Sequence, residues 1–283
     1  MTRRTLHREV ACDGVALHAG CHVRASLLPA AAGAGIVFRR DDMGGAEIPA
    51  LYDRVGETRL GTVISEKGVS VAVVEHLMAA IAGTGVDDVL IALDGPEPPI
   101  LDGDALSWLA VLERAGVREQ PGTQNAIRIA KRIDVAEGNA SAALMPADAL
   151  ELDFEISFLS ATIGVQSLCW KFSGEAFRRD IAPARTFGFV DDLDALRAGG
   201  LGRGASLANT LAIDGDRVVN SELRRFPDEF VRHKILDALG DLALAGSRIV
   251  GRFEGRRSGH TLNNALLRKL FADPSNFELL EMP

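Results

Sequence analysis

The stretch Phe230-Val-Arg-His-Lys-Ile-Leu-Asp-Ala-Leu-Gly-Asp-Leu-Ala-Leu244 has the repeat of an amphipathic helix. At about 100° per residue, its apolar side chains fall on one stripe that requires a core: Val231, Ile235, Ala238 and Leu242. A second stripe, nearly opposite, holds His233, Asp237 and Asp241, with Lys234 on its border. Asp228 is the predicted N-cap and Gly246 the predicted stop, so both ends of the helix carry a signal.

The polar stripe of this helix has two interpretations. Residues four apart lie one above the other on a helix, so His233 and Asp237 can direct an imidazole and a carboxylate at one point. That is a common way for a helix to hold a metal ion. The alternative is a polar face in contact with solvent, and the pair by itself does not exclude it.

A second helix with chemically useful residues is predicted at about 74–83. Glu75 and His76 lie in its first turns, where the free backbone amides create a positive potential. Their side chains point about 100° apart, so one of them could bind a metal while the other contacts a water on it. A catalytic zinc takes about three protein ligands and keeps one open position. His76 is therefore the best third ligand beside His233 and Asp237, with Glu75 as the general base.

The local sequence distinguishes three further histidines. Ser258-Gly-His-Thr261 runs from a loop into a predicted helix and presents His260 at its start. His18 and His22 are four apart, but Gly20 lies between them and the flanks alternate like strands. The helical geometry of a metal pair therefore fails there. His22 is expected to be a surface or structural residue, and the role of His18 stays open.

The remaining sequence predicts an α+β fold built from two similar halves, because strands followed by a helix occur in the same order twice. We expect an N-terminal domain at residues 1–120, with the Glu75/His76 helix, and a C-terminal domain at residues 126–283, with the His233/Asp237 helix. Residues 116–125, which contain Pro121-Gly122, are the best linker candidate. At about 190–220 a short helix, a glycine-rich turn and an apolar run predict a βαβ-like insertion. The turn lacks the G-x-x-x-x-G-K-[ST] pattern of a phosphate loop.

Composition excludes several classes of protein. A net charge of −8 argues against a general nucleic-acid binder. No apolar run approaches the ~18 residues of a membrane span, and the N-terminus lacks the apolar core of a signal peptide. The three cysteines have no C-x-x-C spacing, which predicts free thiols in a reducing cytoplasm. We therefore expect a cytoplasmic protein, and a monomer.

Six motifs in this order resemble a single family: Gly14-x-x-Leu-His18-x-Gly20, Val74-Glu-His-Leu, Pro96-Glu-x-Pro-Ile-x-Asp-Gly103, Ala184-Arg-Thr-Phe-Gly-Phe189, Asp228-Glu-Phe-Val-Arg-His-Lys-x-Leu-Asp-Ala-x-Gly-Asp241 and Arg257-Ser-Gly-His-x-Leu-Asn263. The family is that of the zinc-dependent UDP-3-O-acyl-N-acetylglucosamine deacetylases, which catalyse the committed step of lipid A biosynthesis. The resemblance implies two similar domains, each a β-sheet packed on α-helices, with the active site between them. It also implies that the substrate is the small molecule UDP-3-O-acyl-N-acetylglucosamine.

Carried over residue by residue, the resemblance implies a role for each motif position. The zinc ligands would be His76, His233 and Asp237, and Glu75 would be the base. His260 would be the acid, held by Asp241. The substrate would meet Thr186 at its oxyanion, Lys234 at its polar groups, Phe187 and Phe189 on the nucleotide or sugar side, Arg257 near phosphate, and Leu207 and Leu211 along the acyl chain.

Two positions depart from the family pattern. Ala72 stands where the family usually has Ser or Thr, which removes a helix cap. Ser157-Phe-Leu-Ser-Ala161 replaces the usual Asp-Phe-x-His-Pro on the uridine side. That change keeps open a deacetylase for a different acylated amino sugar. A metal- or lipid-binding protein without catalysis is the second alternative, and Fe²⁺ would suit two histidines and a carboxylate as well as Zn²⁺ does.

Overall fold

The computed structural model describes residues 1–282 and has an α+β fold in which β-sheets pack on helices. Residues 2–123 form nine strands and two helices: β1 (Thr2–Leu6), β2 (Val10–Val15), β3 (His22–Pro29), β4 (Ile36–Arg40), β5 (Ala46–Pro49), β6 (Ile64–Glu66), β7 (Val69–Val71), α1 (Glu75–Thr84), β8 (Val89–Leu93), α2 (Leu106–Ala115) and β9 (Val117–Thr123). Residues 125–281 form eleven strands and four helices: β10 (Asn125–Ile129), β11 (Ile133–Glu137), β12 (Ala140–Met145), β13 (Glu151–Ser157), β14 (Val165–Lys171), α3 (Gly174–Ala176), β15 (Phe187–Phe189), α4 (Val190–Ala198), β16 (Leu211–Asp214), β17 (Arg217–Val218), α5 (Glu229–Ala243), β18 (Arg248–Val250), β19 (Arg252–Arg256), α6 (His260–Ala272) and β20 (Phe277–Glu281).

The two largest sheets share one topology. Each has five strands, in the orders β2-β3-β8-β4-β5 and β11-β12-β19-β13-β14. The central strand, β8 or β19, pairs antiparallel with one hairpin and parallel with the other. Both central strands come after a helix with polar residues, α1 or α5. The order of two hairpins, helix and central strand therefore occurs twice, while the domain bounds at 1–120 and 126–283 stay a prediction.

Helices α1 and α5 pack against each other at a glycine. A Cβ added at Gly240 would lie 2.0 Å from the backbone oxygen of Glu75, so no side chain fits between the two backbones. Residues Glu75 to Ile81 are all buried, as expected of a helix that is apolar on nearly every side. The contact places the first turn of α1 beside the polar stripe of α5.

Several local features differ from the sequence prediction. The expected linker at 116–125 contains strand β9, which pairs antiparallel with β1 on both sides of Pro121-Gly122. The register shifts at these two residues. Helix α1 ends at Thr84 with Gly85 in the left-handed conformation. Helix α5 ends at Ala243, and Asp228 is its N-cap residue as predicted. The Asp228 carboxylate, however, accepts a hydrogen bond from Arg232 and none from the backbone amides of the first turn. Pairing with β1 explains why the expected linker is a strand, since a partner strand overrides the low β-propensity of a Pro-Gly segment.

Residues 187–218 form a small β-α-β unit. Strands β15 and β16 run parallel with α4 between them, and β17 adds an antiparallel strand. Glycines allow this unit to touch the first half of the chain: a Cβ at Gly204 would lie 2.1 Å from the Ala16 oxygen, and one at Gly103 would overlap the backbone oxygen of Asn209. The unit is therefore held against the first half of the chain. Within residues 1–282, no helix has the length and apolar character needed to cross a membrane.

Candidate metal centre and catalytic site

Three buried side chains from the two helices converge on one point. His76 from α1 and His233 and Asp237 from α5 each offer a ligand atom, and these atoms lie within 4.8 Å of one another. Asp237 Oδ1 lies 3.3 Å from His233 Nε2 and 3.6 Å from His76 Nε2. The two imidazole rings are nearly perpendicular, with centroids 4.9 Å apart. Helical spacing supplies the α5 pair, and the crossing of the helices supplies the third group.

The chemistry of this trio fits a metal ion. His76 Nδ1 and Asp237 Oδ1 are buried without a hydrogen-bond partner among the described residues, an arrangement that costs about 1–3 kcal/mol per group. His233 Nδ1 bonds to the Ala184 oxygen at 3.1 Å, which directs Nε2 at the trio. Burial lowers the pKa of the His233 imidazole to about 4, so the ring is neutral, as a metal ligand must be.

A second group of side chains beside the trio can move protons. His260 Nε2 lies 3.8 Å from Glu75 Oε1, and His260 Nδ1 donates to Asp241 Oδ2 at 2.8 Å. Burial raises the pKa of Glu75, against the attraction of the His260 and His76 charges. Burial alone would lower the pKa of His260, but the Asp241 and Glu75 charges raise it to about 9. The arrangement therefore offers a carboxylate base next to a cationic acid.

Lys234 and Thr186 border the trio. Lys234 Nζ donates to Asp237 Oδ2 at 2.7 Å. Burial acts to lower the pKa of Lys234, but the charge and hydrogen bond of Asp237 outweigh it and raise the pKa. The backbone N–H of Thr186 donates to the Gly103 oxygen at 2.8 Å, which fixes this residue at the start of β15. Both residues line the cavity that opens from the trio.

A cavity of about 730 Å³ opens from the trio. Its polar floor is formed by Glu75, His76, Thr186, Lys234, Asp237 and His260. One wall is apolar and comes mainly from the β-α-β unit, with Phe187, Phe189, Val190, Leu193, Leu196 and Leu207. A cleft with a few convergent polar groups and an apolar arm is the usual form of a small-molecule site.

Comparison with known proteins identifies the family of this chain. The sequence model of the UDP-3-O-acyl N-acetylglycosamine deacetylase family (LpxC) matches residues 3–272. The chain belongs to this family. Its relatives named UDP-3-O-acyl-N-acetylglucosamine deacetylase include proteins of Phenylobacterium zucineum, 48% identical over 97% of this chain and 94% of the relative, and of Myxococcus xanthus, 44% identical over 98% and 89%. A third, from Nautilia profundicola, is 42% identical over 99% of this chain and 95% of the relative.

Not every residue expected from the deacetylase family resemblance lies at the cavity. Phe187, Phe189 and the half-exposed Leu207 line it. Leu211 is fully buried in the core and does not line it, because side chains alternate along β16 and its neighbours Thr210 and Ala212 face the cavity. Arg257 is exposed beyond the end of β19 and is likewise outside the lining. Its phosphate role stays a prediction.

Several cavity residues of this deacetylase family member were not selected as site residues from sequence, and Phe158 and His18 are two of them. Phe158 lines the cavity and packs on Phe187 and Phe189, with ring centroids 5.6 and 5.9 Å apart. Within the divergent 157–161 segment it is the one position that keeps the family's Asp-Phe-x-His-Pro pattern, and this agreement was the available signal. His18 also lines the cavity. Its ring accepts from the Gly202 N–H and contacts the Leu60 oxygen, so it bridges two loops at the rim.

Proposed function

We propose that this protein is a zinc-dependent amide hydrolase that removes the N-acetyl group from UDP-3-O-acyl-N-acetylglucosamine. The products are the free amine and acetate, and the reaction is the committed step of lipid A biosynthesis. The observation that carries the proposal is the convergence of a buried His76, His233 and Asp237 trio with Glu75 and His260. Family membership supplies the substrate, and the cavity supplies room for it.

The roles proposed for the side chains come from the family resemblance, and the positions of these side chains support them. His76, His233 and Asp237 would hold the zinc ion, which when bound supplies Lewis-acid polarisation of the amide carbonyl and activation of water. Glu75, whose pKa is raised by burial, takes the proton of the attacking water. Thr186 donates to the developing oxyanion. His260, cationic beside Asp241, protonates the leaving nitrogen.

Substrate binding divides between two chemistries. The apolar wall with Leu207 suits an acyl chain, which would bury its methylenes there at about 0.8 kcal/mol each. Lys234 suits the polar groups of the sugar, and the phenyl rings of Phe187 and Phe189 suit the sugar or nucleotide side. Arg257 is proposed near the phosphates. The protein would act in the cytoplasm as a monomer, with no nucleic-acid partner.

One observation favours a second candidate substrate. Ser157-Phe-Leu-Ser-Ala161 departs from the family pattern, and the side chain of Leu159 is fully exposed to solvent. A changed nucleotide side would suit an acylated amino sugar without UDP. Turnover of UDP-linked and nucleotide-free acyl sugars, measured side by side, decides between them, since a preference for the latter would contradict the proposed substrate.

The proposed function is tested by metal content and acetate release in the same preparation. We expect close to one zinc or iron per chain and acetate release from the UDP substrate. Glu75→Gln should keep the metal and lose turnover, because it removes only the base. His233→Ala and Asp237→Ala should lose metal and activity together. Full metal content in either alanine variant would refute the ligand assignment, and a wild-type protein that binds metal without turnover would favour the non-catalytic alternative.

A further inference from the structure

Thr62 connects the two carboxylates that flank the proposed acid. The residue is only 1% exposed and lies in the loop before β6. Its backbone N–H donates to Glu75 Oε2 at 3.0 Å, and its hydroxyl donates to Asp241 Oδ1 at 2.5 Å. One residue therefore contacts the proposed base directly and the proposed acid through its Asp241 partner.

The loop is shaped to bring Thr62 this close. Leu60 has φ of +67°, in the left-handed region that side chains with a Cβ rarely adopt. A Cβ added at Gly61 would lie 3.1 Å from Glu75 Oε1, so a larger residue would press on the base. The backbone carbonyl oxygen of Thr62 accepts a hydrogen bond from the Val74 N–H at 3.3 Å, which connects the loop to the start of α1. Strained backbone persists where the surroundings over-determine it, and it collects at functional sites.

The hydroxyl has a task that no other described side chain performs. Asp241 Oδ2 accepts from His260 Nδ1 and from Asn263 Nδ2, each at 2.8 Å. Asp241 Oδ1 accepts from Thr62 alone among the hydrogen bonds of residues 1–282. Without this hydroxyl, one oxygen of a buried carboxylate loses its donor, and the carboxylate can turn about its χ2 bond. The His260 ring, which follows Asp241, would then move relative to Glu75.

We propose that Thr62 is a positioning residue that fixes Glu75 and His260 relative to each other. The inference rests on the proposed function, since both groups act there as proton carriers. Thr62 does not line the cavity, and its hydrogen bonds within residues 1–282 go to Glu75, Asp241 and Val74 and to none of the three proposed ligands. Its effect should therefore appear in the chemical step, and substrate and metal binding should keep their strength.

The test compares two substitutions at Thr62 with one elsewhere. Thr62→Val keeps the shape and the backbone N–H but removes the hydroxyl, whereas Thr62→Ser keeps the hydroxyl. Thr5→Val is the matched control, because Thr5 is as buried as Thr62 and its hydroxyl is likewise hydrogen-bonded. Its two partners, the Asp88 backbone oxygen and the Ala30 N–H, lie far from the site. We expect Thr62→Val to lower kcat about 10–100-fold with KM and metal content unchanged. Thr62→Ser and Thr5→Val should stay within about threefold of wild type.

Three kinetic results would overturn the inference: wild-type kcat in Thr62→Val, no rescue in Thr62→Ser, or a loss of kcat that follows metal content or the folded fraction. A readout without turnover is the proton resonance of the His260 Nδ1–H that bonds Asp241. It should shift or broaden in Thr62→Val and persist in Thr5→Val, and an unchanged resonance in Thr62→Val would also contradict the positioning role. A wild-type protein that releases no acetate would instead refute the proposed function, and the resonance would still decide the role of Thr62.

Discussion

Asp241 influences the site through its charge and not through contact with the cavity. It is buried, and its carboxylate bonds His260 Nδ1 on the side away from Glu75. Burial alone would lower the pKa of His260, and the charges of Asp241 and Glu75 reverse the sign and raise it to about 9. His260 is thereby kept protonated at neutral pH, as a general acid requires.

Asp241→Asn should therefore move the alkaline limb of the kcat–pH profile to lower pH. His260, the proposed acid, would be active only while it is protonated, so the rate should fall as pH rises through its pKa. Loss of the Asp241 charge lowers that pKa, and the fall begins earlier. We expect kcat at pH 8 to drop about 10–100-fold at unchanged metal content, because Asp241 is not a ligand.

The control for this profile is His260→Ala, in which the alkaline limb should flatten because its titrating group is gone. An alkaline limb that stays in place in Asp241→Asn, or moves to higher pH, would contradict the charge argument. Loss of metal in Asp241→Asn would contradict its assignment outside the ligand set.

At the scale of elements, the β-α-β unit forms the apolar wall, and strand alternation decides which of its side chains serve it. Leu207 lies before β16, is 52% exposed and lines the cavity, whereas Leu211 within β16 is fully buried. Close backbone contacts at Gly204 and Gly103 hold the unit against the first half of the chain. A larger side chain on the cavity-facing surface of the β-α-β unit should therefore shorten the cavity and leave the unit in place.

Leu207→Trp should shorten the longest acyl chain that is hydrolysed efficiently while leaving turnover of short-chain substrates near wild type. Val219→Trp is the matched control, because Val219 lies just after β17, is 41% exposed and does not line the cavity. The measurement is kcat/KM over a series of acyl lengths. An unchanged length profile in Leu207→Trp, or an equal change in Val219→Trp, would place the acyl chain elsewhere.

At the scale of the whole molecule, the proposed metal joins the two halves of the chain. His76 comes from the half with the β8 sheet, and His233 and Asp237 come from the half with the β19 sheet. A ligand that binds only the folded state stabilises it by mass action, about 2.7 kcal/mol at 100 times its Kd. Asp237 Oδ1 is buried and has no hydrogen-bond partner among residues 1–282 to offset its loss of water.

Removal of the metal with a chelator should lower Tm by roughly 5–10 °C, the change that this free energy produces in a chain of this size. Added zinc should restore it. Asp237→Ala, measured in parallel, should show a Tm that does not respond to chelator or zinc. A wild-type Tm that is equally insensitive would contradict a metal shared by α1 and α5.

The sequence by itself determined the α+β class, the helix of His233 and Asp237, and the βαβ order of residues 187–214. Each depends on local spacing: side chains four apart meet on any α-helix, and alternation or its absence marks strands and turns. The motifs also named His76, Glu75 and His260 before any geometry was known. Only the tertiary structure brought them within reach of α5, because that depends on the backbone contact of Gly240 with Glu75. It alone turned the expected linker into β9, directed Leu211 into the core, and placed the Thr62 hydroxyl on Asp241, since pairing partners and loop contacts between distant residues leave no periodic signal in the chain.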